Sequence, residues 1–272
     1  MGHRQLQTAK SKHSILLSLA ACYLYWLLPL LNFGHPRRNL LYVIRTKTPS
    51  PFSVWVSIDT PPYSNEGTIS VINFEDFAEK DWSFLESDDV NSNEQRDKAK
   101  RIISAGDIEE NSRVLVSIGT EDFIENLVDW FPCQLLLVVH DSLFTLAMIK
   151  EKYDKIKCWQ GELIYVPEKW APFDVVFLYC LPALPFELDQ IFGALVARCS
   201  SGARLVISYS QGREALEKQR QPHSDVIVCD LPDKATLEKV AANHSFEIAE
   251  FVDEPGFYLS VLKFCKTGTS KE

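Results

Sequence analysis

RVLVSIGTEDFIENLVDWFPCQLLLVVHDSLFTLAMIKEKY, residues 113–153, is the stretch on which the fold turns. Its opening, RVLVSI (113–118), is a short β-branched run that stops at Gly119. TEDFIENLVDW then sets Phe123, Ile124, Leu127, Val128 and Trp130 on one helical face. QLLLVVH (134–140) is apolar almost throughout, which marks a strand buried on both faces, as in parallel sheets. DSLFTLAMIKEKY (141–153) reads as a second helix with Asp141 or Ser142 as its cap.

The same alternation continues downstream. ELIYV (162–166), the loop PEKWAP and FDVVFLY (173–179) give two more strands; FELDQIFGALVARC (186–199) gives a helix, SSG a turn and ARLVISY (203–209) another strand. It breaks at the end, where the helix DKATLEKVAAN (233–243) leads into SFEIAEFV, DEPG and FYLSVLKF, two strands joined by a short turn carrying Gly256. Upstream, NEQRDKAKRIISA (93–105) places Ala99, Ile102 and Ile103 at helical spacing, and Gly106 closes that helix. The expected fold over residues 93–266 is α/β, a doubly wound, mostly parallel Rossmann-like sheet ending in an antiparallel hairpin, with 267–272 as a tail.

Residues 14–33, SILLSLAACYLYWLLPLLNF, hold no charge over 20 residues, enough at about 1.5 Å per residue to cross a bilayer. Two readings of residues 1–45 stand: a membrane anchor, or an organelle-targeting segment, since an acid-free, basic, hydroxyl-containing N-terminus is the composition of transit peptides. Basic residues flank the apolar run on both sides, so charge bias assigns no orientation. Residues 46–92 read as a linker rich in Pro, Ser and Thr, followed by an acidic, solvated helical lead-in around Phe77, Trp82 and Phe84.

Charge narrows the partners. Seven basic residues precede the first acidic one, Asp59, which leaves 21 of the 28 basic residues against all 37 acidic ones. A body that acidic repels a phosphate backbone, so no nucleic acid is expected, and a small-molecule or protein substrate is. The seven cysteines are scattered without paired metal spacing and read as reduced, mostly buried core thiols with no metal site.

Several of these strings carry a family resemblance. RVLVSIG resembles the first-strand motif of the class I S-adenosylmethionine-dependent methyltransferases, LLLVVHDS the second and FDVVFLYCLPAL the fourth. SSGARLVIS is similar to the start of the family's fifth strand, and HSFEIAEFVDEPGFYLSVLKF to its closing hairpin. The resemblance covers residues 95–265, and within it the chain looks like plant plastid methyltransferase-like proteins with a degenerate first motif. It implies S-adenosyl-L-methionine as cofactor and a plastid location; the retained anchor is the alternative.

The resemblance also implies a cofactor set of Ser117, Gly119, Thr120, Asp141, Ser142, Glu162, Leu163 and Tyr179. In open α/β sheets ligands bind beyond the carboxyl ends of the strands where strand order reverses, here between the first and fourth strands. Gly119 either lets the backbone approach a ligand or is a plain strand-to-helix turn. The family's glycine-rich loop is replaced by Ser117, Ile118, Thr120, Glu121 and Asp122, and acids at a helix start are also what the helix dipole favours. Asp141 stands where the family's carboxylate accepts from the ribose hydroxyls, or is a helix cap. Glu162 and Leu163 stand where the family frames adenine, or are an exposed strand edge.

YCLPALP, which includes Tyr179, offers no base or nucleophile; His140 is either a proton shuttle or structural, and Arg213 either pairs a substrate carboxylate or lies on a solvated helix. Three functions follow: a methyltransferase working by proximity and orientation, a non-catalytic Rossmann-like scaffold in an organelle complex, and a membrane-tethered enzyme of the secretory pathway. The enzyme assignment rests on Gly119 and Asp141 opening onto one shared crevice; the scaffold reading does not need Asp141.

Overall fold

Seven strands form one sheet. The computed structural model describes residues 79–85 and 92–265, all within one compact unit, Glu79–Glu272. The strands are β1 (Arg113–Ser117), β2 (Leu135–His140), β3 (Lys157–Gln160), β4 (Phe173–Leu178), β5 (Cys199–Tyr209), β6 (Phe246–Glu254) and β7 (Phe257–Phe264). The helices are α1 (Ser92–Ala105), α2 (Glu121–Trp130), α3 (Leu143–Lys152), α4 (Leu188–Val196), α5 (Gly212–Arg220) and α6 (Lys234–Asn243). The strand order is β3-β2-β1-β4-β5-β7-β6; β1 to β5 are parallel, and β7 runs antiparallel to both β5 and β6. The expected doubly wound sheet with a terminal hairpin is present.

Each helix goes to the face its apolar stripe dictates. Ile102 and Ile103 of α1, Phe123, Ile124 and Leu127 of α2, and Leu146 and Ile149 of α3 form one core with Val114, Val116 and Val138 of the sheet. Ile191, Phe192 and Leu195 of α4, Leu216 of α5, and Leu237 and Ala241 of α6 form the other, with Leu115, Leu137 and Val176. The chain winds from β1 through β2 to β3 in one direction and then from β4 to β5 in the other, so the reversal lies between β1 and β4.

Three local readings change. The third strand is KCWQ (Lys157–Gln160); ELIYV is instead a loop around a single 3-10 turn, Leu163–Tyr165. An edge strand needs no continuous apolar run because one of its sides faces solvent, and β3 has no buried residue. SSG lies inside β5 at a register shift against β4, where the Ser200 hydroxyl donates to Asp174 at 2.6 Å. The lead-in is neither helical nor wholly solvated over 79–85: Ser83–Leu85 form one 3-10 turn, and Phe84 and Leu85 are buried.

The six cysteines among the described residues are free; Cys180 and Cys199 are buried, whereas Cys133, Cys158, Cys229 and Cys265 are only half-buried, fewer in the core than expected. No helix among the described residues is long and apolar enough to cross a membrane, and the apolar run 14–33 lies outside them.

Gly212 opens α5 at φ +72, and a Cβ there would lie 2.6 Å from the Phe257 nitrogen and 2.7 Å from the Gly256 nitrogen. Both are backbone atoms of the β6–β7 turn, so neither can move alone. Gly212→Ala is expected to lower stability by about 1–3 kcal/mol, read as a fall in denaturation midpoint with unchanged slope.

Candidate functional site

The strand tips meet as the switch-point rule requires. The Ile118 amide donates to the Val139 carbonyl at 2.9 Å, the Tyr179 amide to the Ser117 carbonyl at 3.1 Å, and the Gly161 amide to the His140 carbonyl at 3.1 Å. The carboxyl ends of β3, β2, β1 and β4 are thereby stitched side by side. The sequence-derived residues Ser117, Gly119, Asp141, Glu162 and Tyr179 all lie along this edge, on its tips or in the loops that leave them.

Their individual tasks are mostly structural. Thr120 caps α2, its hydroxyl accepting from the Phe123 amide at 3.2 Å. Ser142 caps α3, accepting from the Thr145 amide at 2.9 Å, so Asp141 is not the cap. Gly119 is required by packing, since a Cβ there would lie 2.7 Å from Val116 Cγ1. Tyr179 is buried with its hydroxyl 3.5 Å from that of Ser210, and burial raises its pKa above the ordinary phenol value. Ser117 is buried too, and its hydroxyl has no hydrogen-bond partner.

Ile118 departs furthest from the family pattern. Its φ is +59, a left-handed conformation that costs a β-branched residue on the order of 1–3 kcal/mol. Its side chain is buried in the same core as Leu163, Leu178 and Leu181.

Glu162 and Leu163 leave β3 in a loop that Arg198 pins in place, its guanidinium donating to the carbonyls of Ile164 at 3.0 Å, Val166 at 3.1 Å and Ala194 at 2.8 Å. Leu163 is buried, and Glu162 makes no side-chain hydrogen bond or ion pair among the described residues. Sequence reading did not single out Arg198, whose partners are 32 and 34 residues away. Arg213 is committed to the Leu231 and Pro232 carbonyls and to Asp253 at 2.8 Å, which leaves no fork for a substrate carboxylate.

The crevice itself is occupied by the chain's own residues 79–85, which cross the strand tips as a strap. At the β2 end the Lys80 ammonium sits 2.6 Å from Asp141, and the Trp82 ring meets the His140 ring edge-on at 4.5 Å. At the β5 end the Phe84 carbonyl accepts from Gln211 at 2.8 Å and Gln219 at 3.2 Å, and the Phe84 ring lies 5.1 Å from that of His223. The side chains of Phe84 and Leu85 are 5% and 7% exposed, buried in the core that holds Ile118, Leu163, Leu181 and Tyr209. Burying two such side chains is worth about 1.5–3 kcal/mol each. The Lys80–Asp141 pair, 39% and 47% exposed, adds about 0–1 kcal/mol. Apolar burial therefore holds the strap, and the ion pair sets where it lies. The expectation of an open shared crevice is corrected: the tips adjoin, but side chains fill the space above them.

The comparisons bear on the fold. No family model and no curated protein sequence matches the chain. Among solved structures it is similar to a chain of the complex between the Haloferax volcanii Trm112 methyltransferase activator and the putative methyltransferase, at 12% identity and a TM-score of 0.53, over 64% of this chain and 92% of that one. It is also similar to the mitomycin 7-O-methyltransferase MmcR, at 9% identity and a TM-score of 0.50, over 63% of this chain and 54% of that one. The fold is the class I methyltransferase fold. S-adenosylmethionine, which that fold implies, does not fit the methyltransferase-type crevice in this closed form. Asp141, the carboxylate that the resemblance assigns to the ribose, is paired with Lys80, Ile118 is buried directly after β1, and Phe84 and Leu85 are buried in the same core at the strand tips.

His140 makes the edge sensitive to pH. It is buried, its Nδ1 accepts from the Ser142 amide at 2.9 Å, and burial lowers its pKa to about 4. An unfolded histidine titrates near 6.5, so between pH 6.5 and about 4 the unfolded chain binds the extra proton and the fold loses stability as pH falls. The loss at the bottom of that window is about 3 kcal/mol. Denaturation midpoints at pH 7 and pH 5 are expected to differ more for the wild type than for His140→Asn.

Proposed function

We propose that residues 79–265 act as a non-catalytic module built on the methyltransferase fold, an assembly or scaffold unit rather than a turning-over enzyme. One observation carries this reading: Phe84 and Leu85 are buried across the strand tips as part of the core, with Lys80 on Asp141. The chemistry of the edge supports it. Cys180 and Leu181 at the end of β4 supply no base, Tyr179 is held protonated by burial, and His140 faces the Trp82 ring. A scaffold needs partners, and the Haloferax volcanii complex, a methyltransferase with its activator, supports a protein as the class of partner.

A methyltransferase remains the second reading, favoured by one feature. Asp141 and Glu162 leave adjacent tips, those of β2 and β3, with buried Leu163 beside them, the set that the family uses around adenosine. Titration of the full-length protein with S-adenosylmethionine by calorimetry separates the two. The scaffold reading expects no heat at millimolar ligand; saturable binding that Asp141→Ala abolishes would contradict it and favour the methyltransferase reading.

We also propose a plastid location, with residues 1–45 as a targeting segment. N-terminal sequencing of the mature protein from plant tissue is expected to begin beyond Phe33, and retention of residues 14–33 would favour an anchor.

A further inference from the structure

The sheet ends in two edge strands, β3 and β6, and they are built differently. β6 carries a bulge between Ile248 and Glu250 and the exposed carboxylates of Glu247, Glu250, Asp253 and Glu254. Bulges and charges of one sign are how an edge refuses another strand. β3 pairs with β2 without a register shift over Lys157–Gln160, and its one charged side chain is Lys157. Just past its end the Gly161 amide donates inward, to the His140 carbonyl at 3.1 Å. Backbone groups of a strand alternate in direction, so Trp159 also faces β2, while the amides and carbonyls of Cys158 and Gln160 point away from the sheet. The Ile156 carbonyl, next in that outward row, is already met by the Lys150 ammonium at 3.3 Å. Cys158 and Gln160 are therefore the residues of β3 left to receive a strand.

We infer that β3 is a two-fold interface at which a second copy of this chain adds antiparallel, Trp159 facing Trp159 of that copy. This rests on the scaffold reading and gives the scaffold its partner. The faces of the sheet limit the register. Cys158 packs against one core and Trp159 against the other, so residues that meet across the two-fold axis are both odd-numbered or both even-numbered. Centring on Cys158 would set Gln160 against Ile156, whose carbonyl is taken, and centring on Gln160 would set Cys158 against Glu162, beyond the strand. Centring on Trp159 uses every outward group. The Cys158 amide then donates to the Gln160 carbonyl of the second copy and the Gln160 amide to its Cys158 carbonyl, each bond made twice by symmetry. Charge selects the same arrangement. Lys157 is exposed at the start of β3, and Glu162, just past its end, makes no side-chain hydrogen bond or ion pair among the described residues. The antiparallel register puts Lys157 opposite Gly161 of the second copy and beside its Glu162, whereas a parallel copy would put lysine beside lysine.

The test is sedimentation equilibrium on full-length protein, comparing wild type with Gln160→Pro, together with cross-linking of Trp159→Cys and Lys157→Cys by oxidised glutathione; each variant is checked for folding by circular dichroism. Proline at Gln160 removes an amide that points away from the sheet and costs no bond to β2. Wild type is expected at twice the 31.0 kDa chain mass and Gln160→Pro at the chain mass itself. Trp159→Cys is expected to form a covalent dimer, because residues facing each other at a non-hydrogen-bonded antiparallel position have Cα atoms about 4.5 Å apart, within reach of a disulfide. Lys157→Cys is expected to form no more than wild type, its two copies lying about 13 Å apart along the strands. The cysteine variants decide the matter if Gln160→Pro unfolds. Wild type at the chain mass, a dimer that survives in folded Gln160→Pro, or cross-linking of Trp159→Cys no greater than that of Lys157→Cys would overturn the interface. Those outcomes leave the scaffold reading standing, since that reading fails on saturable S-adenosylmethionine binding and not on the mass of the particle.

Discussion

Phe84 and Leu85 hold the rest of the account together, because two buried side chains outweigh any surface charge pair along the same segment. A chain segment crossing the carboxyl edge of a parallel sheet faces unpaired strand-end groups on one side and solvent on the other. It stays only if it buries enough apolar surface to offset the entropy of ordering it. The strap does so with one 3-10 turn, placing its two apolar residues inward while Asp81 and Ser83 remain at the surface. The Phe84 carbonyl, which that turn would otherwise leave buried without a partner, is met by two glutamine amides.

The ligand edge and the strap compete for the same space. In a doubly wound sheet the reversal between β1 and β4 opens a crevice at the strand tips, and some group must fill it, ligand, water or protein. Ile118 settles part of that question at the level of the backbone, since it accepts a left-handed conformation and places a buried aliphatic side chain at the tip of β1. Its strain is offset by the core it joins. His140 belongs to the same economy of space: neutral and buried, it caps the strand tip with an aromatic face that Trp82 meets.

Much of the fold was legible in the sequence, since β1, β2 and β4 are apolar runs with glycine, aspartate or proline at their ends, and β6 and β7 are separated by a short glycine turn. KCWQ was not legible, because an edge strand carries no apolar periodicity, whereas ELIYV imitates a strand and spends its leucine on a loop instead. The strap was hidden for a related reason. Trp82, Phe84 and Leu85 sit in an acidic stretch whose composition reads as solvated, and their partners at His140, Gln211 and His223 are 58 to about 139 residues away, beyond any local pattern. The strand-tip residues were found by position, but Asp141 and Ser142 could not be told apart as caps until geometry gave the role to Ser142.

The most direct measurement is amide hydrogen exchange over residues 81–85 in the full-length protein. The Leu85 amide donates to the Trp82 carbonyl at 3.0 Å beneath buried side chains, so its exchange is expected to be slowed by orders of magnitude relative to the unfolded chain. Exchange of that peptide at the unfolded rate, with β1 and β2 still protected, would contradict the strap and leave the crevice open.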